Sequence, residues 1–203
     1  MIKSFFVLIS IVFLAACSEI IDQKASLDDS EYQLITHNNE FNLMIPKFMD
    51  ATTSLNDEAV IQYQNIFKET YLIIIDENIE EVTDAFYEAG IYDPNYSFME
   101  NYVDFQIESI STDANSAIKG DHTKSTINGL EAETIDLTAQ IEGVAYEIYY
   151  KVCFLKSEEK IYYMMLWTLN DRRDNYKEAF QKIYESFSLG ASQPKRKVSR
   201  PTK

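Results

Sequence analysis

Few side chains in this sequence could do chemistry, and their spacing limits what that chemistry could be. The chain holds two cysteines, Cys17 and Cys153, and two histidines, His37 and His122. Cys153 sits in Val152-Cys153-Phe154-Leu155, an apolar run in which a free cysteine reads as a small buried hydrophobe. A catalytic thiol would need a base, and His37 and His122 are the only imidazoles available. His37 lies in Thr36-His37-Asn38-Asn39. His122 lies in Gly120-Asp121-His122-Thr123, a loop by composition. Asp121, His122 and a distant carboxylate could make a three-ligand metal site; the plainer reading is a surface loop histidine. Asp76-Glu77 and Glu80-Glu81 invite a glycosidase reading, because that chemistry needs a close carboxylate pair. Placed on a helix, Glu77 shares a face with Glu80 and Glu81. Acids in a first helical turn also answer the helix dipole, which explains them without a reaction. Tyr149-Tyr150 and Tyr162-Tyr163 could form a stacking platform for sugar or peptide. They equally suit a core whose hydroxyls reach its rim. No HExxH, CxxC, GxSxG or phosphate-cradling glycine loop occurs. The expectation is a chain with no catalytic residue, no metal site and no cofactor.

Cys17 has a different context. Lys3 is a short positive segment, residues 5–14 form an apolar run, and Leu14-Ala15-Ala16-Cys17 closes it with small residues before a thiol. The run falls short of the ~20 residues of a membrane span. This N-terminus resembles the signal and lipobox of bacterial lipoproteins. The resemblance implies removal of residues 1–16, diacylglycerol on the Cys17 sulfur and acylation of the new amino terminus. Two or three chains at ~0.8 kcal/mol per buried methylene make a stable membrane anchor. Ser18 follows in place of an aspartate, which favours the outer over the inner membrane where two are present. With Cys17 acylated, Cys153 has no partner for a disulfide.

The formal charge is −15. Loss of Lys3 with the signal leaves −16 on 187 residues, a one-domain length. Lys195, Arg196, Lys197, Arg200 and Lys203 crowd the end without an acid, so residues 17–194 carry 12 basic and 33 acidic residues, net −21. A body that acidic disfavours nucleic acid as a partner. It suits solubility first, and cationic partners or divalent ions second. Residues 17–39 read as anchor and tether, 40–190 as the domain, and 191–203 as a disordered basic tail.

The elements that must position these residues follow from periodicity. Phe41, Leu43 and Ile45 alternate with polar neighbours, and Pro46 ends that strand. Ala59 to Phe67 suits a helix or a strand. Tyr71-Leu72-Ile73-Ile74-Ile75 is apolar on both faces and reads as a buried strand. A helix follows, with Ile79, Val82, Phe86 and Ala89 on one side and Gly90 at its end. A second carries Met99, Tyr102, Val103, Gln106 and Ile110. Residues 112–126 look like a loop. Asn128-Gly129 marks a turn, then strands are expected over 131–141, 144–155 and 161–169. Trp167, in the doubly apolar last strand, should be largely buried. A final helix places Tyr176, Phe180, Ile183 and Phe187 on one face, with a start near Asn170 or Asp171 and an end at Gly190. Two strands apolar on both faces and three amphipathic helices point to an antiparallel sheet between helices, an α/β/α sandwich.

The order of Phe41-Asn42-Leu43-Met44-Ile45-Pro46, Ser54-Leu55-Asn56-Asp57, Tyr71-Leu72-Ile73-Ile74-Ile75-Asp76-Glu77, Ile127-Asn128-Gly129-Leu130-Glu131-Ala132, Tyr162-Tyr163-Met164-Met165-Leu166-Trp167-Thr168 and Ile183-Tyr184-Glu185-Ser186-Phe187 resembles the PsbP/Mog-type fold, and within it the DcrB-like envelope lipoproteins. The resemblance spans about 40–190 and rests on hydrophobic patterns and turns. It implies binding to other macromolecules and supplies no catalytic motif. The function expected is a non-enzymatic binding or accessory module of a bacterial cell-envelope assembly, held to the membrane through Cys17, with an unidentified envelope protein as partner. The alternatives are an envelope hydrolase acting on glycan or peptide and a divalent-ion sensor. For a partner, Tyr149 on the mixed face of the 144–155 strand is the expected apolar contact, provided that no helix covers it.

Overall fold

The structure, a computed structural model, describes residues 27–112 and 114–190. The signal, Cys17, the first part of the tether and the basic tail lie outside the described residues. In chain order the elements are β1 (Tyr32–His37), β2 (Phe41–Pro46), β3 (Asp50–Ala51), β4 (Ile61–Asn65), β5 (Thr70–Asn78), α1 (Ile79–Ala89), α2 (Phe98–Thr112), β6 (Ala114–Lys119), β7 (Thr123–Ile127), β8 (Leu130–Ile141), β9 (Ile148–Lys156), β10 (Lys160–Leu169), α3 (Arg173–Glu185) and β11 (Ser188–Leu189).

The main sheet is antiparallel, in the order β3-β4-β5-β10-β9-β8-β6, with β7 also paired to β8. Its central strands are the doubly apolar ones, β5 and β10, because only a strand covered on both faces tolerates such a run. One face carries Val152, Phe154, Ile161 and Tyr163 and packs against Val82 and Phe86 of α1 and Met99, Tyr102, Val103 and Ile107 of α2. The opposite face carries Leu72, Ile74, Cys153, Leu155, Met164 and Leu166 and packs against Phe180 and Ile183 of α3. Helices therefore cover both faces, as the amphipathic patterns require. The second face is shared with a small sheet, β1-β2-β11, whose Phe41, Leu43 and Ile45 join the same core. Burying each such large side chain contributes ~1.5–3 kcal/mol.

Local chemistry sets the helix ends. The Asn78 side chain accepts hydrogen bonds from the N–H groups of Glu80 and Glu81, and Gly90, at φ +69°, closes α1 in the left-handed region. Ser97 and Glu100 cap α2 reciprocally: the Ser97 N–H donates to the Glu100 carboxylate at 2.9 Å and the Glu100 N–H donates to Ser97 Oγ at 3.2 Å.

Several sequence expectations need correction. Residues 32–37, read as tether, form β1 and pair with β2 from Tyr32↔Pro46 to His37↔Phe41. The 112–126 segment is not a loop throughout. It contains β6 and β7, which lie along the outer edge of β8. An edge strand needs partners on one side only, so a small polar sequence suffices and leaves no apolar alternation to read. The strand expected from 144 starts at Ile148, and Tyr146 is exposed. The final helix stops at Glu185 with Phe187 beyond it. Phe187 is nonetheless buried, stacked on Phe41 at 5.0 Å, so tertiary packing and not helical phase explains its hydrophobicity. Gly190 ends no helix: it follows β11, and its N–H bonds the Glu40 carbonyl at 2.7 Å. Trp167 is half-buried. Its ring stacks on Tyr71 at 5.2 Å and lies 6.4 Å from Tyr150, both neighbours on adjacent strands, and it joins neither core cluster.

Candidate functional site

Strand alternation disposes of two of the sequence candidates. Asp76 and Glu77 lie on β5, not in the first turn of α1, so their side chains point to opposite faces. Asp76 pairs with Lys160, which also holds Glu40 at 2.5 Å. Glu77 accepts a hydrogen bond from the Tyr102 hydroxyl on the other face. They cannot flank one glycosidic bond. The tyrosine pairs separate in the same way. Tyr149 and Tyr162 belong to the α3 side and Tyr150 and Tyr163 to the α1–α2 side, so they form no platform.

Cys153 is fully buried, and burial pushes its thiol well above its ordinary range. It is a core residue. His37 stacks on Phe41 at 5.1 Å, with its Nε2 3.0 Å from Asn38 Nδ2. His122 finds a distant carboxylate: its Nδ1 lies 2.6 Å from Oε1 of Glu133, a side chain 2% exposed. The other Glu133 oxygen, Oε2, is buried with no hydrogen-bond partner. Asp121 does not join them. No group of three His, Cys, Asp or Glu side chains converges as metal ligands among the described residues.

Asp121 instead lines an open cleft of about 310 Å³ on the α3 side of the sheet edge. The turn between β6 and β7, strands β8 and β9, and the start of α3 build it. Gly120, Thr123, Asp136, Lys151 and Arg173 complete its polar wall, and Ile118 stands at its edge, 71% exposed. Gly120 lets the turn come this close: its N–H donates to the Asp136 carbonyl at 2.8 Å, and a Cβ there would meet that carbonyl oxygen at 2.9 Å.

Asp136 organises the cleft. Its Oδ1 accepts from the Tyr149 hydroxyl at 2.9 Å and faces Lys151 Nζ at 3.1 Å, while Oδ2 faces Arg173 Nη2 at 3.4 Å. Register brings the strand partners together, and the start of α3 adds Arg173. Asp136 and Lys151 are direct cross-strand partners, and Thr138 faces Tyr149 one step on along the same face. Arg173 also lies over the Tyr149 ring at 4.7 Å, and Lys151 over the Tyr184 ring at 5.4 Å. Burial first, and the Asp136 charge second, raise the Tyr149 hydroxyl above its ordinary range and keep it a donor.

Tyr149 itself is 2% exposed, and its ring runs parallel to Phe180 of α3 at 6.4 Å. The expectation of a free Tyr149 contact surface is thus overturned: α3 covers it. What reaches solvent is the charged layer above it. Asp136, Lys151 and Arg173 escaped the sequence analysis. The one legible signal was the cross-strand alignment of Asp136 with Lys151, which requires knowing the register of β8 against β9, while Arg173 arrives with α3.

No protein-family model matches the chain, and no curated protein matches it in sequence. Solved structures do match. The cyanobacterial PsbP (CyanoP) of Synechocystis sp. PCC 6803 superposes with a TM-score of 0.51 and 15% identity, covering 81% of this chain and 95% of its own. The Ran-binding protein Mog1p of Saccharomyces cerevisiae superposes with a TM-score of 0.51 and 9% identity, covering 78% and 95%. Likeness at such identities concerns fold alone. The narrower DcrB-like resemblance gains nothing from these matches. The shared architecture, an antiparallel sheet between helices matched over nearly the whole of both known structures, shows that this chain has the PsbP/Mog-type fold.

Proposed function

We propose that this protein is a lipid-anchored, non-enzymatic binding module of a bacterial cell-envelope assembly, and that the Asp136 cleft is where it meets its protein partner. The Leu14-Ala15-Ala16-Cys17 motif supports the membrane placement, the outer membrane where two exist. No helix of the described residues is long and apolar enough to cross a membrane. The narrower kinship with DcrB-like lipoproteins belongs to this proposal as well.

The observation that carries the binding reading is the state of Asp136. Its carboxylate already faces two cations and a hydroxyl. A general base must be able to reach a substrate proton with a free lone pair. A half-exposed ion-pair cluster can instead trade its internal partners for those of another protein. Asp121 and Asp136 balance Lys151 and Arg173, so the cleft is locally neutral within an acidic body.

A photoreactive phenylalanine analogue at Ile118, which is 71% exposed at the cleft's edge, tests this in native membranes. The expected result is one discrete protein adduct, lost in Arg173→Glu and restored in Arg173→Lys. A folded, membrane-bound protein that forms no such adduct refutes the cleft as the binding site. Turnover of peptidoglycan by the purified protein refutes the non-enzymatic reading.

A further inference from the structure

The β4–β5 hairpin ends in an apolar tip that the proposed function does not use. Phe67 is 91% exposed and Ile66 is 60% exposed, side by side in the turn. Leaving two adjacent large apolar side chains in water is unfavourable relative to burial. The backbone beneath them is held firmly. The Asn65 side chain accepts from the Lys68 N–H at 2.8 Å and donates to the Phe48 carbonyl at 2.6 Å. Arg172 donates to the Phe67 carbonyl at 3.3 Å, and Glu69 turns the chain at φ +52°. The tip is an ordered presentation of two apolar side chains.

Its position relative to the N-terminus suggests what it meets. The chain enters the domain through residues 27–31. There Lys47 bonds both Glu31 and Ser30: its N–H to the Glu31 carbonyl at 2.8 Å, and its Nζ to the Ser30 carbonyl at 2.5 Å. The next residue, Phe48, lies under Lys68 at 5.3 Å and holds Asn65. Two contacts therefore link the point of entry to the hairpin tip. Leu27 is ten positions after Cys17, and covalent geometry limits that span to about 36 Å. An acyl chain on Cys17 would keep the bilayer within that distance of this flank.

We infer that Ile66 and Phe67 dock into the bilayer surface that holds Cys17, giving the domain a fixed orientation on the membrane with Phe67 at the acyl–headgroup boundary. The inference rests on the lipid-anchor reading above. The charges shown at the tip nearly cancel, Lys68 and Arg172 against Glu69, whereas residues 17–194 as a whole carry −21. The contact is therefore apolar and needs no anionic lipid. Ring burial at the interface is the mode expected of an aromatic anchor.

The test uses the full lipidated chain in phosphatidylcholine vesicles, with Phe67→Trp in a Trp167→Phe background. Ile118→Trp in the same background, at the opposite edge of the sheet, is the reference. The expected result is a blue-shifted emission from the Phe67→Trp chain that brominated phosphatidylcholine quenches, while emission from the Ile118→Trp chain stays solvent-like and unquenched. Solvent-like emission from a Phe67→Trp chain whose intact mass shows acylated Cys17 overturns the docking and leaves the anchor standing. So does an indole at position 67 that is shielded in native membranes but not in protein-free vesicles, which would make the occupant a protein. An unmodified Cys17 in native membranes overturns the anchor and the docking together.

Discussion

At the scale of single residues, the buried Glu133 carboxylate is the most consequential polar group outside the cleft. Its Oε1 meets His122, and its Oε2 has no partner. Removing one partner of a buried charge strands the other, which costs more than the pair contributed. His122→Ala should therefore lower stability by about 1–3 kcal/mol, read as a shift of the urea midpoint. The double variant His122→Ala, Glu133→Leu should recover much of that loss. Equal losses in the single and double variants would show that the pair is not the source. The tyrosines make a second prediction. Burial, then the bond to Glu69, push the Tyr71 hydroxyl up to about 12. Burial likewise raises Tyr102, Tyr149, Tyr162 and Tyr163. In the unfolded chain these groups ionise near about pH 10. Above that pH the unfolded state has shed protons that the native state keeps, so the stabilisation is complete below it and fades as pH rises through the native values. Thermal melts should show a falling Tm above about pH 10, and ultraviolet titration should show tyrosinate appearing late and together with unfolding.

At the scale of elements, α1 shows how far local chemistry reaches. Asn78 satisfies two of the N–H groups that a helix start leaves unbonded, those of Glu80 and Glu81. Asn78→Ala should cost about 1 kcal/mol, and Asn78→Asp should be tolerated. A urea midpoint for Asn78→Ala equal to that of the parent would mean that packing alone holds the helix start. The β7–β8 hairpin joins local and distant order. Asn128 and Gly129 both have positive φ, +48° and +86°, as the tight turn requires. The Asn128 side chain also donates to the carbonyls of Glu185 at 3.0 Å and Phe187 at 2.7 Å, tying the turn to the end of α3. Asn128→Gly should keep the hairpin and loosen that tie. The expected signature is faster amide exchange over 185–189 with β7–β8 unchanged.

At the scale of the whole molecule, the two cores lie on opposite faces of the same central strands. Met164 and Leu166 face α3 while Tyr163 and Met165 face the other helices. Neither core can dissolve without exposing β10, so heating should give one cooperative transition by both circular dichroism and fluorescence. Two separated transitions would count against this. The proposed membrane anchor, Cys17, lies outside the domain. Cys17→Ser should move the protein from the membrane fraction to the soluble fraction without changing its Tm. Retention of the variant in the membrane would deny the anchor.

The doubly apolar runs of β5 and β10, the helical spacing of α1 and α2 and the Asn128-Gly129 turn were all legible in the sequence, because each depends on neighbours within a few residues. From these the sheet between helices follows. The edge strands β6 and β7 were not legible, since one-sided pairing asks little of their side chains. Nor was the strand at residues 32–37, whose partner and not its composition makes it a strand. The cleft was hidden for a related reason. Asp136, Lys151 and Arg173 are ordinary surface residues along the chain, on two strands and a helix, and only register and the seating of α3 bring them onto one carboxylate. The same seating buries Tyr149, whereas Trp167, on the opposite face beside Tyr150, stays half-buried, although both belong to comparable apolar strands. Periodicity determined which faces turn away from water, and tertiary contact decided which helix covers them and where the cover ends.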